Sequence, residues 1–140
     1  MIAAAVVDAS VAVKWVVEEL DSGQARMLAR ARLEAPDLLA VECANILWKK
    51  ARIGDIGARQ ARERLDALLE APVALTPSRD LLGQALGLAL ELEHPVYDCL
   101  YLALALARGV PLVTADERLA RAVRKRRRAV GVTLLSELSL

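Results

Sequence analysis

The sequence predicts an α/β fold: a three-layer α/β/α sandwich around a central parallel sheet of four to five short strands, with residues 1–140 as one domain. Short apolar runs alternate with helix-length stretches, the pattern of strands joined by crossover helices. The first run, Ile2–Val7, is apolar at every position, as in a strand buried on both faces. A chain of 140 residues that is 56% hydrophobic and 26% charged is long and apolar enough to bury a core, which excludes disorder.

After the strand Ile2–Val7, Asp8-Ala9-Ser10 ends the run and Val11–Val17 turns into a helix. Asp21-Ser22 caps a helix predicted to run to about Leu33. Pro36-Asp37 opens a further helix from Leu38 to about Arg52, closed by Gly54. Gly54-Asp55-Ile56-Gly57 is a tight connector into a charged helix over Ala58–Glu70, giving a helical hairpin. Pro72–Thr76 reads as a short strand, and Ser78-Arg79-Asp80 starts a Leu/Ala-rich helix to about Glu93, ended by His94-Pro95. Val96–Arg108 is a helix apolar nearly all round, closed by Gly109. Pro111–Thr114 is a strand, Asp116–Lys125 a helix, and Val130–Leu135 the last strand.

The longest apolar stretches, Leu81–Leu92 and Cys99–Ala107, are too short for a membrane span. The N-terminus lacks a basic leader and Asp8 interrupts its apolar run, so the expectation is a cytoplasmic protein with no membrane partner. The net charge of +1 conceals an uneven distribution: seven of the 19 basic residues fall within Arg118–Arg128, beginning one turn from a conspicuous acid. Two cysteines, Cys43 and Cys99, and the single histidine, His94, are too few for a zinc site of the usual kind. Both thiols are expected to be reduced core residues.

Four acids, Asp8, Glu42, Asp98 and Asp116, lie in strongly apolar surroundings: VVDASV, LLAVECANIL, PVYDCLYLALA and PLVTADERL. Burying like charges together is costly, and a hard divalent cation such as Mg²⁺ or Mn²⁺ resolves the cost. Singly, each acid has an ordinary explanation as a helix cap or a surface residue. Asp8 and Asp116 follow strand ends, which puts both on the rim where α/β sheets bind ligands. Asp98 opens the most apolar helix, and Glu42 comes from another. At 100° per residue, Glu42, Asn45, Lys49 and Arg52 form a polar stripe opposite Leu39, Cys43 and Leu47. An acid, an amide and two cations in that order suit a metal ligand, a supporting polar group and phosphate contacts. Ser10 and Thr114, each two residues from an acid, are placed to hydrogen-bond a carboxylate. Arg118, Arg124 and Arg126 are further candidates for phosphate contacts.

These residues are similar to those of the PIN-domain ribonucleases, and most closely resemble the VapC-type toxins of toxin–antitoxin pairs. VVDAS, the Glu42 segment, YDCLYLALA and TADERL carry the resemblance, which spans essentially the whole chain. It implies Mg²⁺- or Mn²⁺-dependent endoribonuclease activity, with Asp8, Glu42, Asp98 and Asp116 as the acidic quartet. Asp8 and Asp98 would ligate the metal, with Glu42 and Asp116 bound directly or through water; Ser10, Asn45 and Thr114 would support them. It further implies an RNA substrate, a homodimer, and an antitoxin that occludes the acids while laying an amphipathic helix against Leu38–Arg52 and Ala58–Glu70. Many relatives carry a further acid where this chain has Arg118. Two other readings stand beside it. One is a Mg²⁺-dependent phosphohydrolase of another α/β family, though one such family wants a second Asp where Ser10 stands. The other is a catalytically degenerate module that only binds RNA or a partner.

Overall fold

The structure, a computed structural model, describes residues 2–127 and 131–139. Five strands, β1 (Ala4–Val7), β2 (Arg32–Pro36), β3 (Val73–Thr76), β4 (Leu112–Thr114) and β5 (Val132–Leu134), form one parallel sheet in the order β3-β2-β1-β4-β5. The α-helices are α1 (Ala9–Ala12), α2 (Ser22–Leu28), α3 (Leu38–Arg52), α4 (Ala58–Leu69), α5 (Leu82–Leu92), α6 (Val96–Arg108) and α7 (Glu117–Arg126).

Alternation along the strands divides the interior into two layers. Val6, Ala35 and Leu112 face a core shared with α3, α5, α6 and α7. Ala5, Val7, Leu33 and Val113 face the opposite layer, closed by Val11, α2 and Leu135. Parallel strands covered on both sides must be apolar on both sides, which is why Ala5, Val6 and Val7 are all buried. In α6 every residue from Cys99 to Ala105 is buried. Each buried Leu there contributes about 1.5–3 kcal/mol of transfer free energy, so α6 is held against the sheet by packing on all sides. Gly109, at φ +66°, ends it in a left-handed turn that a side chain would strain.

The sheet order fixes where a ligand can bind. From β1 the chain builds outward through β2 to β3, then crosses back to place β4 on the other side of β1. The order therefore reverses between β1 and β4, and a crevice opens past their carboxyl ends. Val6 and Val7 lie beside Leu112 and Val113, so Asp8 and Asp116 leave the sheet at neighbouring points.

Two expectations need correction. The helix predicted to run to Leu33 ends at Leu28, and Arg32–Pro36 is instead an inner strand. Its pattern, with Leu33 and Ala35 buried and Glu34 less so, is a strand's period of two; Ala- and Arg-rich flanks concealed it behind helix propensity. The helix predicted over Val11–Val17 begins earlier, at Ala9, because Asp8 caps it, and it tightens into a 3₁₀ turn at Val13–Trp15. Leu38–Arg52 and Val96–Arg108 have the predicted bounds. Arg128 of the basic run and Val130 of the last predicted strand lie outside the described residues. Among the described residues no helix is long and apolar enough to cross a membrane.

Candidate active site

All four acids line one pocket of about 510 Å³ at the β1/β4 crevice, together with Ser10, Asn45 and Lys49. Each acid comes from a different element, and each is held by its own donors. Asp8, at the end of β1, is only 5% exposed. Its Oδ1 accepts from the Ser10 hydroxyl at 2.5 Å and the Val11 amide at 3.3 Å, while Oδ2 accepts from the Thr114 hydroxyl. The two hydroxyls also receive the backbone N–H groups of Ala115 and Asp116, at 2.9 and 3.0 Å. Ser10 and Thr114 thus stitch the end of β1 to the end of β4, so the spacing of Asp8 from Asp116 does not depend on loop conformation.

Asp116 caps α7, its Oδ1 accepting from the backbone N–H groups of Arg118 and Leu119. The capping role and the pocket role coexist in both aspartates. Glu42, on α3, accepts at 2.5 Å from the hydroxyl of Tyr101, a fully buried residue of α6. Asp98, in the first turn of α6, is paired with His94, whose Nε2 lies 2.6 Å from Oδ2.

The carboxylates perturb one another. Burial pushes Asp8 up to about 6; its hydroxyl donors oppose this and the neighbouring Asp98 charge adds to it. Glu42 is also raised, first by burial and further by Asp98, against the Tyr101 hydrogen bond. Asp98 thus sits within electrostatic reach of both. The Tyr101 phenol is raised by burial and then by Glu42, so it remains a donor at neutral pH. Burial pushes the Cys43 thiol up to about 12 and that of Cys99 to about 11, which leaves both protonated and unreactive in the core.

Among the described residues no three His, Cys, Asp or Glu side chains close into a ready ligand cage, so the acids face a common space rather than a point. That donor set fits Mg²⁺ or Mn²⁺: an all-oxygen, anionic group of ligands suits a hard cation. Mg²⁺ keeps several waters and takes one or two carboxylates directly, so it needs no cage. Asp8, its carboxyl raised chiefly by burial and further by Asp98, is where a cation would most offset the cost of holding a charge.

The sequence-predicted cations divide. Lys49 lines the pocket. Arg52 lies over the Trp48 ring, 5.3 Å from its centroid. Arg118 is exposed beside Asp116. Arg124 and Arg126 are not brought to the pocket. They lie at the far end of α7, where Arg124 binds Glu137 at 2.7 Å and the Val132 carbonyl, and Arg126 binds Glu93 at 2.6 Å and the Glu91 carbonyl. Arg124, Arg126 and Arg127 of the run tie α7 to its neighbours.

Sequence reasoning missed His94 and Tyr101. The one local sign of Tyr101 was its place three residues from Asp98, on the same helix face. His94 stands four before Asp98, but Pro95 between them argued against a shared turn. Tyr97, 60% exposed, and Val41, 65% exposed, add an apolar wall to the pocket.

The PIN domain family profile matches residues 5–125. The chain is 40% identical over 119 residues to ribonuclease VapC3 of Pyrobaculum aerophilum, covering 82% of this chain and 91% of that one. A crystal structure of a P. aerophilum protein superposes with a TM-score of 0.70 at 24% identity, covering 96% of this chain and 90% of that one. VapBC2 of Rickettsia felis, solved bound to a DNA fragment from its promoter, gives 0.63 at 15% identity, covering 94% and 98%. The two structural likenesses establish the fold.

Proposed function

The chain belongs to the PIN-domain family, with VapC ribonucleases among its relatives, and from that premise we propose that it is a metal-dependent endoribonuclease and the toxin of a toxin–antitoxin pair. The observation that carries this reading is the convergence of Asp8, Glu42, Asp98 and Asp116, from four elements, on one pocket at the sheet's switch point. A module that had lost catalysis would have no reason to keep four acids in one pocket, with Asp98 raising both Asp8 and Glu42.

In this reading Asp8 and Asp98 hold a Mg²⁺ or Mn²⁺ ion, with Glu42 and Asp116 binding directly or through water. Such an ion would supply Lewis acidity for activating water and for offsetting charge on the phosphodiester. The chain's own residues set the geometry. Ser10 and Thr114 fix the Asp8 carboxylate, Tyr101 aims Glu42, and Asn45 and Lys49 flank the space a phosphate occupies. Lys49, and Arg52 and Arg118 beyond it, meet the RNA backbone. The test is cleavage of a labelled single-stranded RNA of mixed sequence. Cleavage should appear with millimolar Mg²⁺ or Mn²⁺ and vanish in excess EDTA; undiminished cleavage in EDTA would end the metal reading.

The antitoxin is expected to use the groove between α3 and α4, an apolar cavity of about 240 Å³ lined by Leu47, Trp48, Ala51, Ala61 and Leu65 among others. An amphipathic helix fits such a groove. From there a basic side chain has only the width of α3 to cross to the acids. Trp48 is 56% exposed and is the anchor on this chain's side. Trp48→Ala should lower RNA cleavage only slightly, by loosening Arg52, and weaken inhibition by the antitoxin by about 2 kcal/mol or more, the scale of an aromatic hot spot. Equal inhibition of variant and wild type, in a titration of antitoxin against cleavage, would move the interface elsewhere. Exposed Leu82, Leu86 and Leu90 run along one face of α5, the surface a second copy would cover in a homodimer. The cell compartment in this reading is the cytoplasm.

A further inference from the structure

Three of the four acids are held by donors with obvious structural work: hydroxyls at Asp8, amides at Asp116, the buried phenol of Tyr101 at Glu42. Asp98 has a different partner. Among the described residues its side chain has one hydrogen bond, to His94 Nε2 at 2.6 Å. A carboxylate oxygen accepts, so this contact calls for the hydrogen on Nε2, as the donor. The imidazole is 12% exposed, sheltered where a surface histidine would not be.

The backbone around His94 is built to hold it there. Glu93 adopts the left-handed conformation at φ 52° and ψ 48°, which is costly for a residue with a side chain. The bend turns the chain off α5, and the His94 N–H then bonds back to the Ala89 carbonyl at 3.2 Å. Pro95, at φ −55°, starts α6 at once. His94 is therefore fixed between a C-cap and an N-cap, with no free residue on either side. From outside, Arg126 binds Glu93 at 2.6 Å and Arg127 binds Glu91 at 3.2 Å. The basic end of α7 thus braces the turn that carries the imidazole.

We propose that His94 is a positioning residue of the active site: its Nε2–H holds Asp98 Oδ2, which orients the carboxylate and leaves Oδ1 for the metal. The proposal rests on the reading of Asp98 as a metal ligand. A partner that orients a ligating carboxylate typically governs 10–100-fold of metal affinity. The rival is a purely structural pairing at the start of α6, which would matter to folding and not to the ion.

Two measurements on the full chain separate these. In calorimetric titrations with Mn²⁺ alone, His94→Ala should bind roughly 10–100-fold more weakly than the wild type. His94→Gln, whose amide also donates, should recover most of that loss. Wild-type affinity in His94→Ala, or a folded His94→Gln no better than His94→Ala, overturns the proposal. The second measurement needs no metal. His94 is the only histidine, so long-range ¹H–¹⁵N spectra of the imidazole are unambiguous. They should show the Nε2-protonated ring, shifted by Asp98→Asn and not by Asp116→Asn. A ring protonated at Nδ1 alone, or one indifferent to Asp98→Asn, overturns it. An imidazole tied to Asp98 in a protein that takes up no Mn²⁺ would support the contact and sink the metal reading instead.

Discussion

Asp8→Asn and Asp98→Asn should each lower RNA cleavage by more than about 10²-fold, beyond the loss typical for a residue that only supports a ligand, while the fold is retained. Amide for carboxylate is nearly isosteric, so the change removes charge and little volume. At Asp98 the amide oxygen still accepts the His94 N–H. At Asp8 one of the two hydroxyls, Ser10 or Thr114, keeps its acceptor and the other rotates to accept from the new NH₂. What disappears is the negative charge that draws and holds a cation. Initial rates on one RNA substrate, with circular dichroism on the same samples, make the comparison. A well-folded variant retaining more than a tenth of the wild-type rate would remove that acid from the proposed catalytic set.

The sequence made these acids legible because strand ends are easy to find. Val6-Val7-Asp8 and Leu112-Val113-Thr114 are apolar runs that stop at polar residues, and the stop is where the rim lies. Helices α3 and α6 were legible for a related reason: Asp37, Gly54, Pro95 and Gly109 punctuate them. Strand β2 was not. Arg32–Pro36 owes its place to pairing on both sides, with β1 and β3, and non-local pairing leaves no mark on local propensity. The donors behind the acids divide likewise. Ser10 and Thr114 sit two residues from their acids, within reach of local reasoning. Tyr101 reaches Glu42 across 59 residues of chain and so depends on tertiary placement, whereas His94 is only four residues from Asp98 and was hidden by the turn and the proline between them. The basic run misled because sequence shows charge and not partners. Glu91, Glu93 and Glu137, which engage it, lie on other elements.

Asp8 should also make the metal-free protein less stable as pH rises from 4 to 7, the reverse of what most carboxylates do. Its carboxyl is pushed from 3.8 up to about 6, chiefly by burial, so the native state binds a proton that the unfolded chain has already released. The stability that the protonated form contributes is fully present below the unfolded value near 3.8 and is lost as pH rises through about 6. Each tenfold change in proton affinity is worth about 1.4 kcal/mol, so the loss is about 3 kcal/mol at most. Glu19, held low by Lys50 and Lys14 against its burial, titrates in the opposite sense and would mask this in the wild type alone. The difference between wild type and Asp8→Asn isolates it. In urea unfolding with EDTA, Asp8→Asn should be no more stable than wild type at pH 4 and more stable at pH 7. Adding Mn²⁺ at pH 7 should reverse that order, because a cation binding only the native wild type raises its stability by mass action. Below pH 6 the proton competes for the same carboxylate and the Mn²⁺ effect should shrink. A stability difference that stays flat from pH 4 to 7 would mean that Asp8 is not a buried acid whose charge the fold opposes, and a cation would then have little to relieve there.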